Sequence, residues 1–285
     1  MKKTEIALIQ YSCSDNLNEN LDKAHHFVAK AAGEGANVVA LQELFNTTYF
    51  CREIDQRYFE WAEPLDGKIV TNFAVLAKKL GIVILLPFFE RKSAGLYFNT
   101  MAVLEKDGSI AGIYRKMHIP DDPGFYEKYY FTPGDTGFKV FKTSAGNIGT
   151  LICWDQWFPE AARLTAMKGA DILVYPTAIG TLPEENEADK SQFCDAWTTI
   201  QRSHAIANGC FVASINRTGT EGGTTFWGNS FICGPFGEII ARAGEGEEII
   251  RASVDFEQIE KQRQTWPFFR DRRIDSYDGI LKRWI

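Results

Sequence analysis

A thiol, a carboxylate and an ammonium can together open an amide bond, and this 285-residue sequence sets one of each at the end of a β-type run. Glu43 follows NVVAL through Gln42, Lys116 ends GSIAGIYRK, and Cys153 ends GNIGTLIC, just before WDQWFPEAARLTAMKG, which reads as the start of a helix. Ligands of open α/β sheets gather beyond the carboxyl ends of strands, so these are the positions to inspect. A thiol attacking an amide needs a base to form the thiolate and a cation or N–H donors to hold the oxyanion. Each residue also has a plainer reading: Cys153 as a small buried hydrophobe, Glu43 as a cap or ion-pair partner, Lys116 as a solvated neighbour of Arg115. The conjunction points to chemistry. A Cys–His pair is the competing arrangement, and among His25, His26, His118 and His204 only His118, two residues past Lys116, is placed to be its base. His25 and His26 fall in an amphipathic helix, and His204 sits in the middle of a helical run, where a structural role is expected.

The elements that must position these residues alternate between strand and helix. Short β-type runs occur at 6–9, 38–41, 82–86, 100–104, 148–152, 172–175, 211–215, 231–234 and 238–241. Between them, Leu17, Leu21, Ala24, Val28 and Ala31 share one helix face, as do Ile69, Phe73, Leu76 and Leu80. Gly33 and Gly81 stand where C-caps belong. The segments EKDGS at 105–109 and GPFGE at 234–238 read as hairpin turns. Crossover helices mixed with hairpins predict a layered α/β domain with mixed sheets. No repeat or Pro/Ser-rich linker offers a place to cut the chain.

Composition narrows the function classes. With 45% hydrophobic and 24% charged residues the chain has the balance of a globular protein. Its 31 basic against 37 acidic residues give a net charge of −6, which argues against a nucleic-acid partner held by a basic stripe. Six cysteines without a CxxC pair give no zinc or thiol-exchange signature. The charged start Met1-Lys2-Lys3-Thr4-Glu5 leads into IALI, too short for a signal-peptide core, and the longest apolar run, 81–89, contains Pro87 and is far short of the roughly 20 residues a bilayer span needs. A cytoplasmic protein with free thiols and no membrane partner is the expectation.

Five longer motifs resemble the nitrilase or carbon–nitrogen hydrolase superfamily: LQELFNTTYFC at 41–51, IYRKMHIPDDPGFYEKYYFTPGDTGFKVF at 113–141, ICWDQWFPEAAR at 152–163, DILVYPTAIG at 171–180 and RQTWPFFRDRRIDSY at 263–277. The middle motifs look like those of N-carbamoylputrescine amidases, which act on a carbamoyl-amine small molecule. The resemblance implies a single-domain, four-layer αββα sandwich over 1–260, with 261–285 as a C-terminal extension of the same domain lying at a subunit interface. It implies Glu43 as general base, Lys116 as oxyanion-stabilising cation and proton relay, Cys153 as nucleophile, Glu127 as support for the lysine and substrate, and the Trp154 N–H as second oxyanion donor. It implies no metal and no organic cofactor. The aromatic and arginine-rich tail, with Trp266, Phe268, Phe269 and Trp284, has the composition of a protein contact, and a homodimer or higher homo-oligomer is expected.

Relatives acting on carbamoyl amino acids are expected to carry arginine soon after the nucleophile to grip a carboxylate. Here Cys153-Trp154-Asp155-Gln156-Trp157 is aromatic and neutral or acidic, so Trp154, Asp155 and Trp157 are expected to line a site for an alkyl ammonium. At least one of Trp157 and Phe158 is expected to pack under the following helix instead. The resemblance to N-carbamoylputrescine amidases implies Ser-Glu-Pro after YPTAIG, whereas this chain has Thr181-Leu182-Pro183 followed by Glu184 and Glu185. Either Glu184 or Glu185 meets the distal ammonium, or the substrate is another amide or ureido compound such as N-carbamoyl-β-alanine or a linear ω-amide. A catalytically idle binding module is disfavoured by the intact Glu43, Lys116 and Cys153.

Overall fold

The computed structural model describes residues 3–285; Met1 and Lys2 of the charged start lie outside it. The first half runs β1 (Lys3–Gln10), α1 (Leu17–Gly33), β2 (Val38–Leu41), α2 (Lys68–Leu80), β3 (Val83–Ser93), β4 (Leu96–Leu104), β5 (Ile110–Arg115) and the single turn α3 (Glu127–Tyr130). It continues through β6 (Val140–Thr143), β7 (Gly146–Thr150), α4 (Pro159–Met167), β8 (Ile172–Pro176), β9 (Gly180–Thr181), α5 (Glu187–Asn208) and β10 (Phe211–Ile215). Last come β11 (Thr218–Glu221), β12 (Thr224–Trp227), β13 (Phe231–Cys233), β14 (Ile239–Arg242), β15 (Glu248–Asp255) and α6 (Glu257–Thr265).

Two six-stranded mixed sheets, ordered β15-β1-β2-β3-β4-β5 and β14-β13-β10-β8-β7-β6, pack face to face. Strands buried on both faces need apolar side chains in both directions, which is why they read as continuous hydrophobic runs. Along β1, Ile6 and Leu8 join the core shared with the second sheet, while Ala7 and Ile9 join the core under α1 and α2. Helices α4 and α5 supply Ala161, Ala162, Trp197 and Ala205 to the second sheet's core, completing the four αββα layers. A third, aromatic cluster containing Tyr49, Phe50, Tyr58, Phe89, Tyr130 and Phe131 caps one end of the sandwich.

The helix α1 keeps Gly33 as its last residue, and Gly35 rather than Gly33 takes the positive φ of +98°. Gly81 closes α2 in the left-handed region as expected, φ +67°. The strand beginning near Ile82 runs straight through Pro87, because pairing with β2 ends at Leu85 and the proline lies beyond it. The edge strand β15, paired along all of β1, and the small sheet β11-β12-β9 are absent from the sequence reading. All six cysteines are free thiols, and no helix among the described residues is long and apolar enough to cross a membrane.

Candidate active site

Strand β2 ends at Leu41, and the chain then turns sharply, with Leu44 at φ +50°. The turn is held from inside. Buried Arg217 donates to the carbonyl oxygens of Glu43 (3.0 Å), Leu44 (2.9 Å) and Thr47 (2.8 Å), and pairs with Glu221 at 2.8 Å. Gln42 accepts the Tyr11 N–H at 2.9 Å. These bonds leave the Glu43 side chain pointing into a fully buried polar nest.

Lys116 follows β5 and Asn99 lies in β4. The Lys116 N–H donates to the Asn99 carbonyl at 2.9 Å. Strand alternation turns Arg115 to the opposite side, where it binds Glu90 and Asp135, so Lys116 is free to enter the sandwich end. There its Nζ donates to Glu43 Oε1 at 2.8 Å and to Glu127 Oε2 at 2.6 Å, with all three side chains fully buried. Asn99 Nδ2 also donates to Glu43 Oε1 at 2.7 Å, and the Tyr49 hydroxyl donates to Glu127 Oε1 at 2.7 Å. Glu43 Oε2 has no hydrogen-bond partner among the described residues.

After β7 the chain leaves the ladder, and Cys153 opens a 3-10 turn, Cys153–Trp157, with φ +43°, a strained value for a side-chain-bearing residue. Its sulfur and one oxygen each of Glu43 and Glu127 lie within 4.8 Å of one another. Two carboxylates and a thiol form a donor set that suits a cation, and the Lys116 ammonium already bonds both carboxylates.

Burial governs the proton positions. It pushes the Cys153 thiol far up, reinforced by Glu43 and opposed by Lys116 and the neighbouring Thr177 hydroxyl, so Cys153 holds its proton at neutral pH. Burial opposes the charge on Lys116, but Glu127 and Glu43 outweigh it and hold the ammonium well above its usual range. Glu127 is lifted by burial to about 7 despite the lysine beside it. The resting arrangement is therefore a protonated thiol beside an unoccupied carboxylate oxygen and a permanent cation. Such a set can pass the thiol proton to Glu43 and stabilise negative charge at a carbonyl oxygen held nearby.

The sequence-predicted residues divide into three groups. Glu43, Lys116, Glu127 and Cys153 meet as described. Trp154 and Trp157 line a cavity of about 450 Å³ with Cys153, and so do Glu184 and Glu185. Asp155 departs from the expectation. Its carboxylate is buried, accepting from the Tyr114 hydroxyl, the Ile152 N–H and the His118 N–H and paired with His118 Nδ1, so it anchors the Cys153 turn instead of facing the cavity. The same contacts answer the Cys–His alternative. His118 Nδ1 is bound to Asp155 at 2.7 Å, its ring is stacked on Phe158 at 3.7 Å, and no hydrogen bond joins it to Cys153 among the described residues. Phe158 is thus the packing member of the Trp157-Phe158 pair, and Trp157 lines the cavity.

Other residues of the site escaped the sequence reading. Asn99 and Arg217 are buried polar groups inside apolar strands or tight loops, a signal that carries meaning only once their partners are known. Asp122 adds a third acidic group to the cavity wall, and no Lys or Arg is among the described residues that line it. Leu182 occupies the rim, seated against Gly124, whose φ of +78° and missing Cβ leave room for it. The Leu182 N–H donates to Glu185 at 2.7 Å.

Comparisons with known proteins identify the chain's relatives. A carbon-nitrogen hydrolase family model matches residues 5–264. The chain is 44% identical to an N-carbamoylputrescine amidase of Solanum lycopersicum, over 97% of this chain and 94% of that one, and 43% identical to a citrullinase of Francisella tularensis over the whole of both. Its structure matches the crystal structure of a carbon-nitrogen hydrolase from Helicobacter pylori G27 with a TM-score of 0.97 and 45% identity, covering 99% of this chain and 100% of that one. Fold, buried Glu-Lys-Glu-Cys cluster and relatives agree: the chain belongs to the carbon-nitrogen hydrolase family and is an enzyme that hydrolyses carbon–nitrogen bonds.

Proposed function

We propose that the enzyme hydrolyses N-carbamoylputrescine to putrescine, carbon dioxide and ammonia, with Cys153 as nucleophile, Glu43 as general base and Lys116 as oxyanion-binding cation. The observation that carries this substrate is the cavity wall: tryptophans at 154, 157 and 227 flank an alkyl-sized space, and the ionisable side chains around it, Asp122, Glu184 and Glu185, are acidic. That lining favours a chain ending in ammonium over one ending in carboxylate. The amidase relatives support the same reading.

In the first step Glu43 Oε2, free of other bonds, takes the Cys153 proton as sulfur attacks the carbamoyl carbon. The oxyanion is held by Lys116 Nζ and the Trp154 N–H. Collapse expels one of the two nitrogens, which leaves protonated, and the carbamoyl group stays on sulfur. Water activated by Glu43 then cleaves that bond, restoring the thiol and releasing a carbamate that breaks down to carbon dioxide and the second amine. One water is consumed per turnover.

Ammonia release from N-carbamoylputrescine, N-carbamoyl-β-alanine and a linear ω-amide tests the assignment. N-carbamoylputrescine should have the highest kcat/KM, and preference for the carboxylate-bearing compound would refute it. Replacing Glu184 and Glu185 by glutamine should raise KM for N-carbamoylputrescine, and an unchanged KM would remove the acidic loop from the argument. The exposed Trp266, Phe268, Leu281 and Trp284 support a homodimer or higher homo-oligomer, checked by sedimentation velocity on the full chain.

A further inference from the structure

The buried Tyr49 hydroxyl donates to Glu127 Oε1 at 2.7 Å, and Lys116 Nζ donates to Glu127 Oε2 at 2.6 Å. Both oxygens of this carboxylate are therefore met by donors. Glu43 is built differently: Lys116 and Asn99 both bond its Oε1, and Oε2 has no hydrogen-bond partner among the described residues. Two buried carboxylates share one ammonium, so the neutral donor beside each decides where a proton can settle. A proton reaching the pair finds an open oxygen on Glu43 and none on Glu127. Burial holds the Tyr49 phenol well above its usual range, so it keeps its proton and donates. Tyr49 is fixed at its other end as well. Its N–H donates to Glu221 Oε2 at 2.5 Å, Glu221 pairs with Arg217, and Arg217 holds the Glu43 carbonyl oxygen. Its ring packs against Phe125 and Phe226, with centroids 5.6 and 5.9 Å away.

The margin is narrow. Burial and Glu43 oppose the charge on Glu127, Lys116 and Tyr49 support it, and the balance leaves the carboxyl at about 7. The other groups around it are Cys153 and Cys51, thiols that burial keeps protonated, and on its own turn the exposed Lys128 and the Tyr130 hydroxyl, which donates to the Glu53 carbonyl. Loss of one donor is enough to carry Glu127 into its protonated form at neutral pH. A neutral Glu127 leaves Lys116 drawn to Glu43 alone, which weakens Glu43 as a base. We propose that Tyr49 is a positioning residue for the hydrolysis: its hydroxyl closes Glu127 to protons, so that the thiol proton goes to Glu43 and the ammonium stays shared between the two carboxylates. The proposal rests on the reading of Cys153, Glu43 and Lys116 as the reacting groups. The atom whose place Tyr49 governs is the proton that leaves the Cys153 sulfur and settles on Glu43 Oε2.

The test is the pH profile of kcat/KM for N-carbamoylputrescine, from ammonia release by the full-length enzyme, by Tyr49→Phe and by protein with 3-fluorotyrosine incorporated in place of Tyr49. In Tyr49→Phe the acid limb should move to higher pH by about one unit or more, the scale of a lost charge-assisted hydrogen bond. The rate loss should therefore be about tenfold or more at the acid end and should fade as pH rises. The fluorinated phenol is a stronger donor and adds only one fluorine, so its limb should move the other way. An equal loss at every pH in Tyr49→Phe overturns the proposal, since a merely structural tyrosine would not displace the limb. A second readout needs no substrate: the protonated-carboxyl stretch in infrared difference spectra, assigned by its absence in Glu127→Gln, should titrate at higher pH in Tyr49→Phe than in wild type. Equal midpoints overturn the proposal. Failure of the wild type to hydrolyse N-carbamoylputrescine overturns the proposed function instead, and the infrared midpoints then decide the role of Tyr49.

Discussion

At the scale of single residues, the two oxygens of Glu43 are bonded differently. Oε1 is held by Lys116 and Asn99, and Oε2 has no hydrogen-bond partner among the described residues. Cys153→Ala should abolish turnover, a loss on the order of 10⁴- to 10⁶-fold. Lys116→Ala should cost roughly 3 kcal/mol or more of transition-state stabilisation, whereas His118→Ala, which loosens the Asp155 anchor and the stacking on Phe158 and Phe138, should be milder in steady-state kinetics. Severe damage confined to His118→Ala would restore the Cys–His mechanism. Asn99 donates to Glu43 Oε1, so if Glu43 is the general base proposed above, Asn99→Ala should lower kcat about 10- to 100-fold with KM little changed, and a KM-only effect would contradict a positioning role. Glu43, Lys116 and Cys153 were legible in the sequence only as candidates at strand ends, each with a plainer reading, and it is the family resemblance that gives them roles. Asn99 was not, because one amide inside YFNTMAVL has no meaning until the strand is laid beside β5 and its partner is known.

At the scale of elements, most of the framework was legible because strands covered on both sides cannot hide their hydrophobicity. The strand β15 was missed for the opposite reason: it is a sheet edge with one face exposed, and EIIRASVD alternates charge with apolar groups. The small β11-β12-β9 sheet is short and rich in Thr and Gly, with Phe226 and Trp227 as its large apolar residues, and is recognised only through pairing. Its contribution is indirect. Arg217, just before β11, ties that sheet to the Glu43 turn through three carbonyl oxygens and Glu221. Arg217→Met removes one partner of a buried pair and leaves the Glu221 charge with the Tyr49 N–H but no cation, so a loss of about 3–5 kcal/mol is expected in urea unfolding. If stability instead stays near wild type while kcat falls, the arginine's role is confined to orienting the Glu43 turn.

At the scale of the whole molecule, pH couples to folding through a group remote from the cluster. His204, buried in α5 with Nδ1 at 3.1 Å from the Tyr175 hydroxyl, is lowered by burial from 6.5 to about 4. The unfolded chain then takes up a proton below 6.5 that the folded chain refuses until about 4. Its contribution is complete above pH 6.5 and is lost as pH falls through the folded value, at most about 3 kcal/mol for a shift of this size. Urea midpoints measured at pH 7.5 and 5.0 should differ by less in His204→Gln than in wild type, and an identical difference would assign the acid lability elsewhere. The six thiols are held in the same way. Burial raises all of them, Cys13 to about 11, Cys210 and Cys233 to about 12, and Cys51, Cys153 and Cys194 likewise upward. Oxidants and alkylating reagents consume thiolates, so the native enzyme should endure peroxide and aerated buffer without added reductant; with Cys153 as the proposed nucleophile, damage to it should fall chiefly while a substrate is being turned over. Labelling by a chromogenic disulfide should be slow in the folded protein and complete within minutes in guanidinium chloride; rapid labelling of native Cys153 would show a sulfur that is not kept protonated at rest.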